Sequence, residues 1–231
     1  SAVSGTASAS QNYTVSGDNL TADVTVTAPA KYEVSTDNTT FAGAVNLAQS
    51  GGNLTGEPVT VYVRIAASAT AGSANGNIVH SSTDAASNNV AVTGTVIATQ
   101  PSAHAASFSS STVSQTQINL TFSAASTITN AAGYIVLQRT GAAPTGAPAD
   151  GSAYSVGNAI GDGTVAAVIT NTASTTTSIT GLSAGTQYYF SLFPFNWDGA
   201  TNTTYNYKTD ESVPGTNATT TAPLATTSEV S

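Results

Sequence analysis

The chain has 231 residues, 12 acidic and 4 basic side chains, one Trp, no Cys and no Met. That length suits two domains better than one. The absence of Cys excludes a disulfide framework, thiolate metal sites and a Cys nucleophile, and a net charge of −8 with so few cations excludes a phosphate-binding face for DNA or RNA.

The absence of Met marks a processed or partial chain. No apolar run approaches the roughly 18 residues of a membrane span, and no secretory leader stands at Ser1. Charged residues make up only 7% of the chain, where about 25% is usual for a soluble domain. Neutral Thr, Ala and Ser replace them. The apolar residues are largely β-branched and periodic, which favours pleated, half-buried strands over disorder.

In chain order, Val24 and Val26 alternate with Thr25 and Thr27. Asn75-Gly76 reads as a tight turn before Ile78-Val79, following the alternation of Val61, Val63 and Ile65 with Tyr62 and Arg64. Val90, Val92 and Val96 share one parity. These period-2 patterns predict a first domain of short antiparallel strands over residues 1–99. Pro101 cannot donate to a strand ladder, so the boundary falls at residues 98–102. A second domain is predicted over 102–216. There Ile118, Leu120 and Phe122 alternate with Asn119 and Thr121, and Tyr134 to Gln138 reads as a continuous strand. Residues 141–151 read as a loop, and Asp162-Gly163 as a turn before Val165 to Ile169. Residues 217–231 read as a Thr/Ala-rich tail or a donor strand. No stretch has helical periodicity. The fold class is therefore all-β, with two tandem antiparallel β-sandwiches.

The stretch from Gly181 to Asn196 resembles a fibronectin type III domain. Leu182, Gly185, Thr186 and Tyr188 match the spacing of its tyrosine corner. The resemblance implies that the Tyr188 hydroxyl bonds a backbone group near Leu182. Phe122 stands where that family usually has Trp. Residues 133–139, 148–154, 161–164 and 207–210 resemble fibronectin-type modules of large secreted Bacteroidetes proteins. Residues 5–17, 19–21, 26–29, 32–35 and 61–64 resemble an Ig-like repeat found beside such modules. The two tandem sandwiches are thus Ig-like, then fibronectin type III-like. In that family such repeats are spacers, adhesin stalks or components of surface fibres. Their precursors often leave the cell by type IX secretion, guided by a C-terminal sorting domain; none is visible here.

The Ig-like repeat usually starts with a further strand ahead of its Gly-Thr-Ala-Ser segment, and only Ser1 to Ser4 precede Gly5. A sandwich lacking that strand exposes an edge. Three readings stand open: the strand belongs to a preceding domain, the domain closes without it, or a neighbouring subunit donates it by β-augmentation. On the third reading Gly5 and Thr6, with Leu224 and Val230 in the tail, form the subunit contact.

Catalytic chemistry finds little support. His80 and His104 lie in different domains, and Asp84 beside His80 marks a plain strand end rather than a triad. Asp210 and Glu211 are adjacent, so a strand would point them to opposite faces, the wrong geometry for paired acids. No catalytic or metal residues are assigned, and no cofactor is expected. A structural calcium ion is the one exception the sequence leaves open, at Asp18, Asn19 and Asp23 or at Asp198, Thr201 and Asn202. The sequons at Asn12, Asn19, Asn38, Asn53, Asn119, Asn202 and Asn217 read as chance in an Asn- and Thr-rich chain.

Phe193, Phe195, Trp197, Tyr205 and Tyr207 form the densest aromatic group. On a strand, Phe193, Phe195 and Trp197 share a face. Exposed, they could stack on sugars or anchor a partner; buried, they are packing. The function expected is a non-catalytic structural protein of the extracellular cell surface. It would be a subunit of a filament or an adhesin stalk, self-associating or joined to neighbouring domains. The alternative is a carbohydrate- or protein-binding accessory module of a larger secreted enzyme, with surface glycans as partners.

Overall fold

The computed structural model describes residues 1–224. It is built of short β-strands, with two single-turn 3₁₀ segments, and divides into two compact units. One comprises Ser1–Thr99 with Asp198–Thr204; the other comprises Gln100–Trp197 with the residues from Tyr205 on. Asp198–Thr204, assigned from sequence to the second domain, group with the first unit.

The first unit contains β1 (Ala2–Val3), β2 (Gln11–Val15), β3 (Val24–Thr27), β4 (Tyr32–Ser35), β5 (Ala44–Leu47), β6 (Gln49–Ser50), β7 (Asn53–Leu54), β8 (Val59–Ile65), β9 (Gly72–Ser73), β10 (Gly76–Ser81), β11 (Asn88–Val92) and β12 (Thr95–Ile97). A three-stranded sheet in the order β2-β8-β4 packs against a four-stranded sheet in the order β11-β10-β3-β5. The alternation read from sequence is what the packing uses. Val24 and Val26 of β3, Val61 and Val63 of β8, and Ile78 of β10 meet in one core, while Thr25 and Thr27 face solvent. A small third sheet pairs β1 parallel to β12, with Ala2 opposite Val96, and β12 with β9.

Gly76 departs from its sequence reading. It opens β10 rather than a hairpin, since β9 pairs with β12 and β10 with β11 and β3. A Cβ at 76 would lie 2.6 Å from the Cβ of Pro29. The residue is glycine because another segment approaches closely, not because the chain turns.

The second unit contains β13 (Phe108–Thr112), β14 (Ile118–Phe122), β15 (Gly133–Thr140), β16 (Ala159–Ile160), β17 (Gly163–Ile169), β18 (Thr176–Ile179), β19 (Gln187–Asn196), β20 (Asn206–Tyr207) and β21 (Gly215–Thr219). One sheet has the order β13-β14-β18; the other runs β16-β17-β15-β19-β20, with β21 also on β19. The unit thus divides into a three-stranded sheet and a larger sheet centred on β15 and β19. Asn217–Thr219, read from sequence as the start of a tail, belong to β21, where Tyr188 pairs with Ala218 and Gln187 with Thr219.

The larger sheet is covered on both faces. Tyr134 and Val136 point into the core between the sheets, with Ile118, Leu120 and Phe122. Ile135 and Leu137 point the other way, into a second apolar layer with Ile160, Val165 and Tyr207. That explains why residues 134–137 are apolar without alternation: a strand buried on both faces has no solvent parity.

Leu120 is completely buried between the sheets of the second unit. Leu120→Ala is expected to destabilise that unit by about 2–5 kcal/mol through lost burial and a residual cavity, read as a lowered urea midpoint for its unfolding.

Candidate functional site

The aromatic group forms a core. Along β19, Tyr188, Phe190 and Leu192 face the layer between the sheets, whereas Phe193 and Phe195 face the outer apolar layer. Phe193 is 3% exposed, Phe195 1%, Tyr205 9% and Tyr207 1%. Tyr205 stacks on Tyr207 at 5.8 Å between centroids, and Phe195 lies 5.1 Å from Tyr205. The Tyr207 hydroxyl donates to the Ser152 carbonyl at 2.9 Å, and its burial raises its pKa. The binding role considered for these residues is therefore corrected: their faces are spent on one another and on the loop from Tyr154. Only Trp197 keeps partial exposure, and one of its faces is stacked on Tyr205 at 4.9 Å.

Leu182 and Tyr188 belong to the layer between the sheets of the second unit. The Ser183 N–H donates to the Tyr188 hydroxyl oxygen at 2.9 Å. The bond ties the loop entering β19 to the strand itself, with Leu182 buried beneath it. Tyr188→Phe removes the acceptor and should cost about 1–2 kcal/mol, seen as a lowered denaturation midpoint with an unchanged circular dichroism spectrum.

Neither histidine has the partners of a triad. His80 Nδ1 lies 3.2 Å from the Asn88 carbonyl, so it carries the proton, and Nε2 accepts from the Tyr13 hydroxyl at 2.9 Å. His104 Nε2 lies 2.8 Å from the Asp210 carbonyl, and its Nδ1 is buried without a hydrogen-bond partner among the described residues.

The basic side chains are engaged. Arg64 Nε meets Glu33 at 2.6 Å across paired strands and lies over the Phe41 ring. Arg139 meets Asp162 at 2.6 Å. Lys208, nearly buried, meets both Asp210 and Glu211. Lys31 Nζ donates to the Ala71 carbonyl at 3.3 Å.

The oxygen-rich groups considered for calcium serve the backbone. Asp23 accepts from Asn46 Nδ2 and the Gln49 N–H. Asp198 Oδ1 accepts from the Ala200 and Thr201 N–H groups and the Thr204 hydroxyl. Among the described residues no three His, Asp or Glu side chains gather in one place.

Partial burial pushes the Asp198 carboxyl up, but the N–H groups of Thr201 and Ala200 and the neighbouring hydroxyls outweigh it and hold the pKa at about 2. A depressed pKa contributes stability that is complete above the ordinary carboxylate value and is lost as pH falls through the folded one. Stability should therefore decline between about pH 4 and pH 2, and Asp198→Asn should flatten that decline, as read by urea midpoints across the range.

An unfilled surface of the first unit lies along its open side. Within the two main sheets β2 and β11 are both edge strands, and among the described residues no strand pairs with the outer side of either. Between them runs a groove. One stretch, of about 240 Å³, is lined by Tyr13, Val15, Leu20, Val24, His80 and Val90. The next, of about 380 Å³, is lined by Gln11, Val63, Ile65 and Val92 among others. The Tyr13–His80 hydrogen bond crosses its floor, and burial there raises the Tyr13 pKa to about 12.

Sequence reasoning named Gly5 and Thr6 for a subunit contact on this unit. They form a turn, with the Thr6 N–H donating to the Val3 carbonyl at 2.9 Å. Neither lines the groove. It missed Tyr13, Val15, Leu20 and Val90; the shared parity of Val90 and Val92 was the available signal. Leu224 is 89% exposed, and Val230 lies outside the described residues.

No family model matches the chain, and no curated protein matches it significantly. Solved structures do. The FN1–FN3 domains of chicken CNTN1 align over 89% of this chain and 55% of their own, at 11% identity and a TM-score of 0.41. Domains A168–A170 of titin align over 95% of this chain and 59% of their own, at 12% identity and a TM-score of 0.40. A two-domain fibronectin type III segment of chicken tenascin aligns over 86% and 98%, at 10% identity and a TM-score of 0.31. The chain thus spans little more than half the length of the first of these structures.

Proposed function

We propose that the chain is a non-catalytic structural protein of the extracellular cell surface, serving as the subunit of a filament. The observation that carries this reading is the groove between β2 and β11, apolar beside Val15 and Val90 and more polar toward Gln11 and Arg64, bordered on both sides by strand edges. A strand edge is a template for another strand, and proteins that keep edges solitary blunt them with Lys, Pro or bulges. Neither β2 (Gln-Asn-Tyr-Thr-Val) nor β11 (Asn-Asn-Val-Ala-Val) carries such a device.

The remaining polar chemistry supports the same reading. The cations are paired or bonded to backbone, and the histidines are held by Tyr13, Asn88 and Asp210. The aromatic cluster is internal apart from Trp197, which leaves a sugar-stacking platform only one partly exposed ring. A spacer or adhesin stalk shares all these features except a use for the groove. Export by type IX secretion fits the same proposal.

Negative-stain electron microscopy of the purified chain at rising concentration tests it. Filaments of regular axial repeat, growing in number with concentration, are expected. Separate short particles at every concentration would overturn the filament reading and leave a spacer.

A further inference from the structure

The two sandwiches treat the same edge differently. In the second unit, β13 lies on the outer side of β14, antiparallel, with Phe108 opposite Phe122 and Ser110 opposite Leu120. It also reaches β21: Ser110 Oγ donates to the Asn217 carbonyl at 2.8 Å, and Thr112 Oγ1 to the Thr219 carbonyl at 2.6 Å. One strand thus closes the side between the two sheets. In the first unit β2 holds the position of β14, pairing with β8 as β14 pairs with β18. β11 holds the position of β21, as the last strand of the larger sheet. The place corresponding to β13 is the groove.

That correspondence defines the occupant as an extended strand antiparallel to β2. The lining fixes its direction. Ser16 and Gly17 share one end of the groove with Ser82 and Asn88, and Ala9 and Gln11 share the other with Val92 and Thr93. β2 and β11 therefore run in opposite senses, and a strand antiparallel to β2 enters beside Gly17 and ends beside Gln11. The lining favours uncharged inward side chains, because Tyr13, Val15, Val90 and Val92 are half-buried residues packed against the core.

Charge narrows the source. Two copies of a chain with net charge −8 repel one another, so contact needs surfaces free of carboxylates. No Asp or Glu lines either stretch of the groove, and Arg64 lies at its far end. From residue 212 to residue 231 the sequence carries a single charged side chain, Glu229. Within that stretch β21 is already paired to β19, and Thr221 is bonded to Ser114. Beyond them Leu224 stands exposed. Leu224, Thr226, Ser228 and Val230 share one parity, which puts the two large apolar residues on the same side of an extended strand. Residues 224–230 span about 23 Å when extended, enough to cover the five-residue β2 at about 17 Å.

Resting on the filament reading, we propose that the groove between β2 and β11 receives residues 224–230 of a second copy, antiparallel to β2. Leu224 enters the end beside Val15 and Leu20, and Val230 the end beside Val92. Thr227 then lies opposite Thr14, both on the outward face.

Cysteine pairing tests this directly, because the chain has no Cys of its own. Full-length chain carrying Thr14→Cys and Thr227→Cys is oxidised and run without reductant. A ladder extending beyond dimers is expected, since each copy joins two neighbours, whereas either substitution alone stops at dimers. A ten-fold excess of a synthetic peptide of residues 221–231 should shorten the ladder. A ladder from the Asn12→Cys, Ala225→Cys pairing, which only a parallel strand brings together while Thr14 still faces Thr227, would overturn the direction. A disulfide closing within one chain would overturn donation between copies. Filaments on grids with no ladder from either pairing would overturn this donor while leaving the filament reading intact; absence of both would overturn both.

Discussion

The backbone of a strand edge must be paired, covered or wetted, and this chain meets that constraint without disulfides and with few charges. It meets it with hydroxyls. Ser110 and Thr112 join β13 to β21, and Thr220 Oγ1 donates to the Ser183 carbonyl at 2.6 Å beside the corner of Tyr188. In the first unit Thr21 Oγ1 donates to the Thr83 carbonyl and Ser82 Oγ to the Ala22 carbonyl. The abundance of Ser and Thr is thus more than a style of composition. A short hydroxyl side chain satisfies a carbonyl across a gap with no charge to desolvate and little rotamer entropy to lose. The groove between β2 and β11 stands out because, among the described residues, no such clasp spans it apart from the Tyr13–His80 bond.

The second constraint is the two-faced burial of β15 and β19. A sandwich needs one apolar layer, and this unit has two. The inner layer joins the sheets. The outer one folds the loop from Tyr154 and the segment of Tyr205 and Tyr207 onto the back of the larger sheet. Phe193 and Phe195 serve the outer layer, while Tyr188, Phe190 and Leu192 serve the inner. One ten-residue strand therefore anchors both, and β15 beside it does the same through alternating residues.

Much of this was legible in the sequence, for a simple reason. Period-2 alternation reports a half-buried strand, so β3, β8 and β14 could be read directly, and the tyrosine-corner spacing located the start of β19. What failed was information that no local pattern carries. Parity says that Phe193 and Phe195 share a face but not whether another layer covers it. Gly76 before two apolar residues looks like a turn until Pro29 is seen against it. Asn217–Thr219 are polar enough to pass for a tail, yet they pair along β19 because an outer strand needs little apolar content. Asp198–Thr204 group with a unit far away in sequence. The groove was the least visible feature, since it is defined by what two distant edge strands leave between them.

The placement of the cations has a consequence for proteolysis. A protease that cuts after Lys or Arg must draw an extended backbone out into its own cleft. Arg64 lies in β8, held between β2 and β4, and Arg139 in β15, held between β17 and β19. The Lys31 carbonyl accepts from the Ala66 N–H, and the Lys208 N–H donates to the Pro194 carbonyl. The bonds after Arg64 and Arg139 are built into sheets, and those after Lys31 and Lys208 adjoin strands. Trypsin-like cleavage after either arginine must therefore wait for a unit to open, so its rate becomes a gauge of unfolding rather than of surface accessibility.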